Sequence, residues 1–460
     1  MPVSRLLIAN RGEIAMRIVR AAKSLGVHTI QAYSEADAEM LSVREADESI
    51  CIGPAPAKDS YLNIDALLKA ARETNADAVH PGYGFLSESP AFVRAVEDAG
   101  LTFVGPSADT IERMGDKVAA RQAAEAAGVP VVPGSDGRVD GVDAALEVAE
   151  TIGYPVMVKA AAGGGGRGIR VAQDADELRK LAPQAAREAQ AAFGDGGLYV
   201  ERAILSPRHI EVQILGDGTR AVHCWERECS LQRRRQKVWE EAGASCLDQA
   251  TRETLCRSAV ALAEAVNYRG AGTLEYLYDD ASGEFFFIEM NTRIQVEHPV
   301  TEMITGVDLV AEMIRVAGGE PLSMTQDDIA RNGHAIEVRL NAEDPLMQFM
   351  PFPGKVDGLD WPEGDGIRVD HFLSDGYQIP PFYDSLIGKL IVHAPTRDEA
   401  IDKLAEALRS TRIGGVKTTI PLHLALARSP DVRAGRVHTQ WLEPWLDAGN
   451  LTAEATGDPQ

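Results

Sequence analysis

The sequence predicts a multidomain protein of the α/β and α+β classes, and three observations support that prediction. The first 115 or so residues alternate short apolar runs with helical patterns, as parallel sheets do. A turn-rich segment between Gly128 and Gly137 then follows an alanine-rich helical pattern and indicates a domain boundary. The length of 460 residues exceeds the roughly 100 to 200 residues of an ordinary domain. We therefore expect about two to four domains around a shared cleft.

The N-terminal region has the apolar runs and turns of an open α/β sheet. Apolar runs predict strands at residues 5–10, 27–30, 78–80 and 101–104. The spacing of Ile14, Ile18 and Ala22 predicts a helix after the first strand. Two of the strands lead into glycine-containing turns, Asn10-Arg-Gly12 and Pro81-Gly-Tyr-Gly84. Open α/β sheets usually place ligand-binding loops at such strand ends.

The next 50 or so residues, 153–203, have the pattern of a small lid over a binding site. They are predicted to form a strand, a glycine loop, a strand, a helix and a strand. Beyond residue 205 we expect hairpin-like strands, helices near 249–266 and 301–317, and a final α+β segment.

Composition and charge exclude several classes of protein. The formal net charge of −23 repels a phosphate backbone and argues against a nucleic-acid partner. No apolar run approaches the roughly 20 residues that span a bilayer, and the N-terminus lacks the apolar core of a secretory signal. The cysteines are odd in number and form no C-x-x-C pair, which indicates reduced thiols. We therefore expect a cytoplasmic protein with no membrane or nucleic-acid partner.

The glycine-rich segment Ala162-Gly-Gly-Gly-Gly-Arg-Gly168 is the strongest local signal for phosphate binding. Glycine lets several backbone N–H groups close around phosphate oxygens without obstruction by side chains. The segment also satisfies G-x-G-x-x-G, but an apolar strand follows it where a dinucleotide fold requires a helix. We therefore reject NAD binding, and the absence of G-x-x-x-x-G-K-[ST] disfavours a P-loop enzyme. Lys159, just before the loop, is expected to place its ammonium beside the bound phosphates.

The segment from Phe285 to His298 sorts into two faces with the period of a strand. The polar face holds Glu289, Asn291, Arg293, Gln295 and Glu297. The same face begins with phenylalanines, which predicts a strand that leaves the core and enters a cleft. Glu275, on the preceding predicted strand, is expected to face Glu289 across a hairpin. These two carboxylates and Asn291 offer the hard oxygen ligands that suit Mg²⁺.

A basic run, Gln232-Arg-Arg-Arg-Gln-Lys237, interrupts this acidic chain. It places four cations among six residues, where a small anion could be captured. A solvated surface is the competing interpretation of the run by itself, and the neighbouring motifs favour anion capture.

Taken together, these segments resemble biotin carboxylase, a family of ATP-grasp enzymes that serve acyl-CoA carboxylases and pyruvate carboxylase. The resemblance covers nearly the whole chain through further motifs at residues 8–15, 80–88, 289–302 and 333–339. It implies an N-terminal Rossmann-like (pre-ATP-grasp) domain at 1–115, an ATP-grasp domain at 116–330 with a mobile glycine-loop lid at about 135–203, a C-terminal α+β biotin-carboxylase domain at 331–447, and a tail at 448–460.

The resemblance also implies roles for individual residues. The implied ATP contacts are Lys117, Lys159, Gly164, Gly165, Gly166, Glu201, Arg202, Ala203, Ile204, His209, Gln232 and Arg235. The implied ligands of Mg²⁺ or Mn²⁺ are Glu275, Glu289 and Asn291. Bicarbonate is implied to bind Lys237, Arg293, Gln295 and the backbone of Val296. Biotin is implied to bind Tyr83 and Arg339. The implied catalytic set is Glu297 as general base with Arg293, Arg339 and Lys237.

The implied activity is the Mg-ATP-dependent carboxylation of biotin with bicarbonate through carboxyphosphate, the first half-reaction of an acyl-CoA carboxylase. No lysine occurs in the A-M-K-M context of a biotin acceptor, so biotin is expected to arrive on a carrier protein or domain. A carboxyltransferase on another chain and a homodimer are also implied.

Three positions depart from the family pattern. They are Ala162 in the glycine loop, Arg235 where His or Asn is common, and Glu240-Glu-Ala-Gly-Ala-Ser245 in place of E-E-A-P-A-P. These departures leave open a non-catalytic paralogue that binds nucleotide and scaffolds a complex. An ATP-grasp ligase with another acceptor is the second alternative, and it should lack Arg293, Glu297 and Arg339 together. All three residues are present.

Overall fold

The computed structural model describes residues 2–160, 170–193 and 196–452. Its strands, numbered along the chain, are β1 (Arg5–Ile8), β2 (His28–Ser34), β3 (Glu48–Gly53), β4 (Ala78–His80), β5 (Thr102–Phe103), β6 (Val156–Ala160), β7 (Arg170–Ala172), β8 (Leu198–Arg202), β9 (Arg208–Asp217), β10 (Ala221–Arg233), β11 (Gln236–Ala242), β12 (Arg269–Asp279), β13 (Glu284–Asn291), β14 (His334–Asn341), β15 (Glu343–Asp344), β16 (Met350–Pro351), β17 (Leu359–Asp360), β18 (Ile367–His371), β19 (Leu386–Ala394) and β20 (Arg412–Ile413).

The α-helices of the described residues connect and cover these strands. They are α1 (Gly12–Ser24), α2 (Leu41–Glu45), α3 (Ile64–Glu73), α4 (Pro90–Asp98), α5 (Ala108–Gly115), α6 (Lys117–Ala126), α7 (Val142–Ile152), α8 (Ala175–Phe193), α9 (Gln249–Ala265), α10 (His298–Thr305), α11 (Leu309–Ala317), α12 (Arg397–Ser410), α13 (Ile420–Arg428), α14 (Pro430–Arg433) and α15 (Leu442–Asp447). Within the described ranges, no helix has the length and apolar character needed to cross a membrane.

The N-terminal region forms a parallel sheet in the order β3-β2-β1-β4-β5. The strands expected from the apolar runs are confirmed, and α1 follows β1 as the helical spacing predicts. The edge strand β3 was not predicted. Its residues alternate between exposed and partly buried, with Glu48 at one end and Gly53 at the other. It therefore lacks the continuous apolar run of a strand that is buried on both faces.

The two glycine-containing turns of this sheet are joined by Asn10. Its amide nitrogen donates to the carbonyl oxygens of Pro81 at 2.6 Å and Tyr83 at 2.7 Å. Gly82, between them, has a φ of +62°, and a Cβ atom there would lie 2.8 Å from the Asn10 amide. Only glycine fits this position, because the turn requires both a left-handed backbone and close approach. The turn fixes Tyr83 at the strand ends.

The predicted lid pattern corresponds to a three-stranded antiparallel sheet in the order β7-β6-β8. Helices α7 and α8 pack on it around a small apolar core that includes Val158, Leu178 and Leu198. The glycine loop, with Gly164, Gly165 and Gly166 and the departure at Ala162, lies outside the described residues.

A single sheet of eight strands carries the rest of the fold, in the order β13-β12-β9-β10-β11-β14-β19-β18. Strands β11 and β14 pair from Trp239↔Val338 to Ala242↔Ala335, so hydrogen bonds cross the expected boundary at residue 330. Apolar cores cover the sheet, one with α9 and α6 and one with α12 and α13. The predicted ATP-grasp and C-terminal regions therefore share one sheet, and side chains from both reach the same face.

Two expectations for the C-terminal half are wrong in detail. The polar face of residues 289–297 is not one strand, because β13 ends at Asn291. A bulge opposite the Glu275–Tyr276 step shifts the register, so Phe285, Phe287 and Met290 all pack in one core. The predicted helix at 301–317 is two helices, since α10 ends at a left-handed glycine before α11 begins.

Candidate active site

Lys237 lies at the centre of a cluster of buried carboxylates. Its ammonium contacts Glu211 Oε2 at 2.5 Å, Glu275 Oε1 at 2.9 Å and Glu297 Oε1 at 2.6 Å. Burial alone lowers the pKa of Lys237, but the carboxylates, Glu211 foremost, raise it well above its usual value. The lysine is therefore a fixed cation in a place that water hardly reaches, with its side chain 12% exposed.

Neighbouring strands of the large sheet bring these side chains together. Glu211 on β9 is the cross-strand partner of Glu275 on β12, so both side chains leave the sheet on the same face. Lys237 comes from β11, on the other side of β10. Glu297 precedes α10, at the end of the segment that follows β13. The four residues are far apart in the sequence, and only the sheet makes them neighbours.

Two members of the cluster, Glu211 and Arg227, were not predicted from the sequence. Glu211 lies between His209 and Gln213 on a strand whose alternate residues pack in the core, and this alternation is a usable signal. The buried Arg227 guanidinium contacts Glu211 Oε1 at 2.6 Å and Gln295 Oε1 at 3.0 Å. Register shifts in β10 break its alternation, so the sequence gives no indication of where this side chain points.

Glu297, the predicted general base, is 2% exposed and is held between two cations. Its Oε1 accepts a hydrogen bond from Lys237, and its Oε2 accepts one from Arg339 Nη2 at 3.1 Å. Burial raises the pKa of this carboxyl, but Lys237 and Arg339 hold the pKa below its usual value. Glu297 is therefore an ionised carboxylate at neutral pH, which is the form that a general base requires.

The predicted metal ligands lie beside the Lys237 cluster. Glu275 and Glu289 are cross-strand partners on β12 and β13, as the hairpin prediction expected. The amide of Asn291 is already engaged, since Nδ2 donates to Glu275 Oε1 at 2.9 Å and Oδ1 accepts from Arg293 Nη2 at 2.9 Å. Burial, together with the charge of Glu275, raises the pKa of Glu289. Glu289 has no hydrogen-bond or ion-pair partner among the described residues, so this pair of carboxylates fits a divalent cation.

A second group of potential metal ligands consists of His209, Glu211 and Glu275. His209 Nε2 lies 3.3 Å from Glu275 Oε2 and 3.5 Å from Glu211 Oε2. Burial lowers the pKa of His209, but the two carboxylates raise it to about 9. A protonated imidazole has no lone pair to offer a metal. This group is therefore an ion-paired cluster, and the carboxylates at Glu275 and Glu289 are the better cation site.

We expect His209 to make the free energy of unfolding fall between about pH 6.5 and pH 9. The folded state binds this proton more tightly than the unfolded chain does. The stabilisation is therefore complete below the unfolded pKa of about 6.5 and is lost as the pH rises through the folded pKa. His209→Gln should remove this slope, which is worth on the order of 1 to 3 kcal/mol.

Denaturant titrations across this pH range test the expectation. His223→Gln is the matched control, because burial lowers the pKa of His223 to about 4 and that histidine is neutral throughout the range. The control should keep the slope. A slope that survives in His209→Gln would contradict the assignment of the bound proton to His209.

The side chain of Arg293 is anchored by the N-terminal region. Its Nε donates to Glu88 Oε2 at 2.8 Å, and Glu88 Oε1 also accepts from the backbone N–H of Thr292 at 3.1 Å. Gln295, the next predicted bicarbonate residue, donates through Nε2 to Glu275 Oε1 at 2.9 Å. Both side chains are thus fixed at the edge of the carboxylate cluster. Glu88 had no predicted role, although it ends one of the family motifs.

A cavity of about 580 Å³ opens beside Lys237. Val296, Arg339 and Tyr83 line it, so residues predicted for bicarbonate and for biotin share one chamber. Its other walls carry the aromatic rings of Phe85, Phe382 and Tyr383. The chamber suits a small ligand with a polar end near Lys237 and an apolar end near the rings.

Several predicted nucleotide residues lie on the lid sheet or face it. Lys117 is the first residue of α6, and its charge acts to lower the pKa of Glu289, so it lies near the cation site. Lys159 on β6 forms an ion pair with Glu201 on β8. Arg202, next along β8, lies over the ring of Phe286 at 4.9 Å. Arg202 also donates to Glu284 at 2.6 Å, so β8 of the lid contacts β13 of the large sheet at this edge.

The remaining residues predicted to contact the nucleotide differ in burial and in position. Ala203 and Ile204 follow β8, and Ile204 packs in an apolar cluster with Val132 and Phe286. Gln232 donates to the carbonyl of Cys229 at 2.9 Å. Arg235 is exposed in the tip turn of the β10–β11 hairpin, with a φ of +66°. The structure does not bring Arg235 to the Lys237 cluster.

Three family models match consecutive parts of the chain. Residues 2–111 match the N-terminal domain of biotin carboxylase, and residues 337–444 match its C-terminal domain. Residues 116–325 match the ATP-binding domain of the carbamoyl-phosphate synthase L chain.

Curated relatives and solved structures match over almost the full length. The biotin carboxylase of Pseudomonas aeruginosa is 52% identical, with 96% of this chain and 99% of the relative covered. A pyruvate carboxylase subunit from Methanothermobacter thermautotrophicus is 49% identical, with coverage of 96% and 90%. The biotin carboxylase domain dimer of Hydrogenobacter thermophilus 2-oxoglutarate carboxylase, solved with MgADP, ADP and bicarbonate, is 46% identical, covers 100% of both chains and has a TM-score of 0.85.

Proposed function

The chain belongs to the biotin carboxylase family, and we propose how its residues divide the steps of biotin carboxylation. The protein is an ATP-dependent ligase that forms a carbon–nitrogen bond. One observation carries the proposal: a buried Lys237–Glu297 ion pair lies against a chamber that Arg339 and Tyr83 also line. We place its domain boundaries near residues 115, 330 and 447, with the lid at about 135–203. The gaps between the matched models, at 111–116 and 325–337, support the first two boundaries.

ATP would lie between the lid and the large sheet. Lys117, Lys159 and His209 offer cations to its phosphates, and Gly164 to Gly166 offer backbone N–H groups. The segment from Glu201 to Ile204 would receive the adenine. Gln232 belongs to the same proposed set, and the exposed position of Arg235 makes it the weakest member.

Magnesium or manganese would be held by Glu275 and Glu289, with Asn291 beside them. The carboxylate of Glu289 has no partner among the described residues, and its pKa is raised by burial and by the charge of Glu275, which favours this position. When bound, the cation neutralises phosphate oxygens and orients the terminal phosphoryl group. His209 lies 3.3 Å from Glu275, and the charges of His209 and Lys117 act to lower the pKa of Glu289.

Bicarbonate would bind at Lys237, Arg293, Gln295 and the backbone N–H of Val296. Glu297 removes the proton of the bicarbonate hydroxyl, and the freed oxygen attacks the γ-phosphorus while ADP leaves. Each of these changes increases negative charge near Lys237 and Arg293. Preorganised cations in a place shielded from water stabilise such charge strongly. The product of this step is carboxyphosphate.

Biotin would enter the chamber beside Tyr83 and Arg339. Carboxyphosphate breaks down to carbon dioxide and a basic phosphate, and this phosphate takes the proton of the biotin N1 nitrogen as that nitrogen attacks the carbon dioxide. The Arg339 guanidinium stabilises the enolate-like charge on the ureido oxygen. Carboxybiotin, ADP and phosphate are the products.

The biotin is proposed to be attached to a carrier protein or domain, and a carboxyltransferase on another chain would use the carboxybiotin. The relatives include one subunit from a pyruvate carboxylase and one domain from a 2-oxoglutarate carboxylase, so the family serves several acceptors. An acyl-CoA carboxylase is the complex we propose for this chain. The dimer of the Hydrogenobacter domain supports a homodimer, and we propose a cytoplasmic location.

ADP release by the purified chain tests the function. We expect release with Mg-ATP, bicarbonate and free biotin, and a fall to background when bicarbonate, biotin or the divalent cation is omitted. The proposed role of Glu297 explains the requirement for bicarbonate, and that of Arg339 explains the requirement for biotin. Nucleotide binding without release under any condition would favour the scaffolding paralogue, and release that ignores biotin would favour a ligase with another acceptor.

A further inference from the structure

A buried lysine outside the proposed catalytic set connects the bicarbonate and biotin sides of the chamber. Lys389 is fully buried on β19. Its ammonium donates to the carbonyl oxygen of Val296 at 2.6 Å and lies 3.2 Å from Glu13 Oε2. The other oxygen of Glu13 accepts a hydrogen bond from the hydroxyl of Tyr83. One ammonium thus holds both the Val296–Glu297 peptide, which leads into the proposed general base, and, through one carboxylate, the phenol proposed for biotin.

The sheet fixes the position of this lysine rigidly. Lys389 is the cross-strand partner of Arg339 on β14 and of Asp370 on β18, so the three side chains share one face. Glu337 lies two residues before Arg339 on that face and is also fully buried. Burial lowers the pKa of Lys389, but nearby acids, Glu13 foremost and then Glu337 and Asp370, raise it above its usual value; Glu337 and Asp370 do not line the chamber. A rigid strand is a better support for a site than a loop, because its side chains are held by packing on both sides.

The Val296 peptide, by contrast, lies in the irregular segment between β13 and α10. Its carbonyl group is held by the bond from Lys389, and because the peptide is planar this bond also fixes the direction of the Glu297 N–H, at the start of the proposed general base. The Tyr83 side chain extends from a turn of the N-terminal sheet. Its hydroxyl donates to Glu13, and Glu13 forms an ion pair with Lys389. The Val296 carbonyl and the Tyr83 hydroxyl thus both lie outside β19, the strand whose Lys389 positions them.

We infer that Lys389 is a positioning residue that sets the distance between the Val296–Glu297 peptide, beside the proposed bicarbonate site, and the hydroxyl of Tyr83 on the proposed biotin side. The inference rests on the proposed function of the chamber. Carbon dioxide must be released within reach of the biotin nitrogen, and misplacement of about 1 Å can cost on the order of 10²-fold in rate. Lys389 acts through these two groups and does not touch the substrates.

Lys389→Met tests the inference, because methionine is an unbranched side chain of similar length that carries no charge. We expect the KM values for bicarbonate and for free biotin to rise together, by about 10- to 100-fold, while the KM for ATP stays within about twofold. Lys403→Met is the matched control. Lys403 also donates to backbone carbonyls, those of Asp365 and His393 at 3.0 and 2.7 Å, but it lies outside the chamber. The control should leave all three KM values unchanged.

The double variant Lys389→Met/Glu13→Gln separates positioning from charge balance, because it leaves no unpaired carboxylate at Glu13. It should unfold at a temperature close to that of the wild type and keep the raised KM values. Recovery of wild-type KM values in the double variant would overturn the inference, as would wild-type values in Lys389→Met. An equal rise in the KM for ATP would show a general loss of structure and would overturn it too.

A crystal structure of the double variant gives a readout that does not depend on turnover. We expect the Val296 carbonyl and the Tyr83 hydroxyl to move relative to each other, and unmoved groups would overturn the inference. Absence of ADP release in the wild type would instead remove the proposed function. The two failures are therefore distinguishable.

Discussion

Glu297→Gln should lower turnover by about 10²- to 10⁴-fold, the usual worth of a positioned general base. The substitution keeps the size of the side chain and its hydrogen-bond acceptor but removes the group that takes the bicarbonate proton. Lys237 retains Glu211 and Glu275 as partners, so its charge stays compensated. We therefore expect the variant to fold and to bind Mg-ATP with an affinity near that of the wild type. Initial rates of ADP release, with nucleotide affinity measured separately by calorimetry, test this expectation.

Glu312→Gln is the control for the loss of a buried carboxylate as such. Glu312 is 3% exposed and pairs with Arg315 and Ser323, away from the chamber. Its replacement should lower the unfolding temperature without reducing turnover by more than about twofold. Turnover of Glu297→Gln equal to that of this control would remove Glu297 from the mechanism.

The sequence predicted those parts of the fold and site that depend on local pattern. The strands and turns of the N-terminal sheet follow from apolar runs and glycine positions, and the Glu275–Glu289 pair follows from hairpin alternation. The predicted two-face pattern is wrong from Ile288 towards the start of β13. A bulge changes the strand register there, although polar and apolar residues continue to alternate in the sequence. A bulge is set by packing on both strands, and one strand's sequence does not contain that information.

The convergence of distant strands could not be predicted from local sequence. Arg339 reaches Glu297 because β14 pairs with β11, and Lys389 reaches Val296 because β19 pairs with β14. Such pairings depend on which apolar faces are buried together. Family resemblance supplied Arg339 as a site residue, whereas Lys389, Glu211 and Arg227 lie outside the family motifs; the alternation of β9 indicates Glu211, but the neighbours of all three residues are seen only in the structure.

Lys237 pairs with more carboxylates than any other cation of the cluster. Its removal therefore tests how much the cluster contributes to stability and to activity. Three buried carboxylates lie within 2.9 Å of its ammonium. Arg227 contacts Glu211, Arg339 contacts Glu297 and His209 contacts Glu275, so each carboxylate would keep at least one cation without Lys237. Removal of one partner from a buried ion cluster costs about 3 to 5 kcal/mol, because part of the remaining charge is left uncompensated.

Lys237→Met should therefore lose both stability and activity, and a second substitution should separate the two effects. We expect turnover to fall by at least about 10²- to 10³-fold, as for the loss of a preorganised electrostatic group. Adding Glu211→Gln removes one of the three carboxylates that lost Lys237 and should restore part of the lost free energy of unfolding, but it should not restore turnover. Denaturant titration and ADP release of both variants measure the two quantities independently. Turnover that recovers together with stability would mean that Lys237 serves the fold alone.

The pH dependence of the activity of Lys237→Met is a second, independent test of the role of Lys237 in the active site. In the wild type, burial raises the pKa of Glu297 and Lys237 lowers it to below its usual value, so the acid limb of kcat/KM should lie below about pH 4.5. Without Lys237 the burial effect is opposed only by Arg339 and Arg227, and the pKa of Glu297 rises. The acid limb of the residual activity should then move to higher pH, because a larger fraction of Glu297 is protonated at any given pH. An acid limb at the wild-type position would mean that Lys237 does not set the ionisation of Glu297.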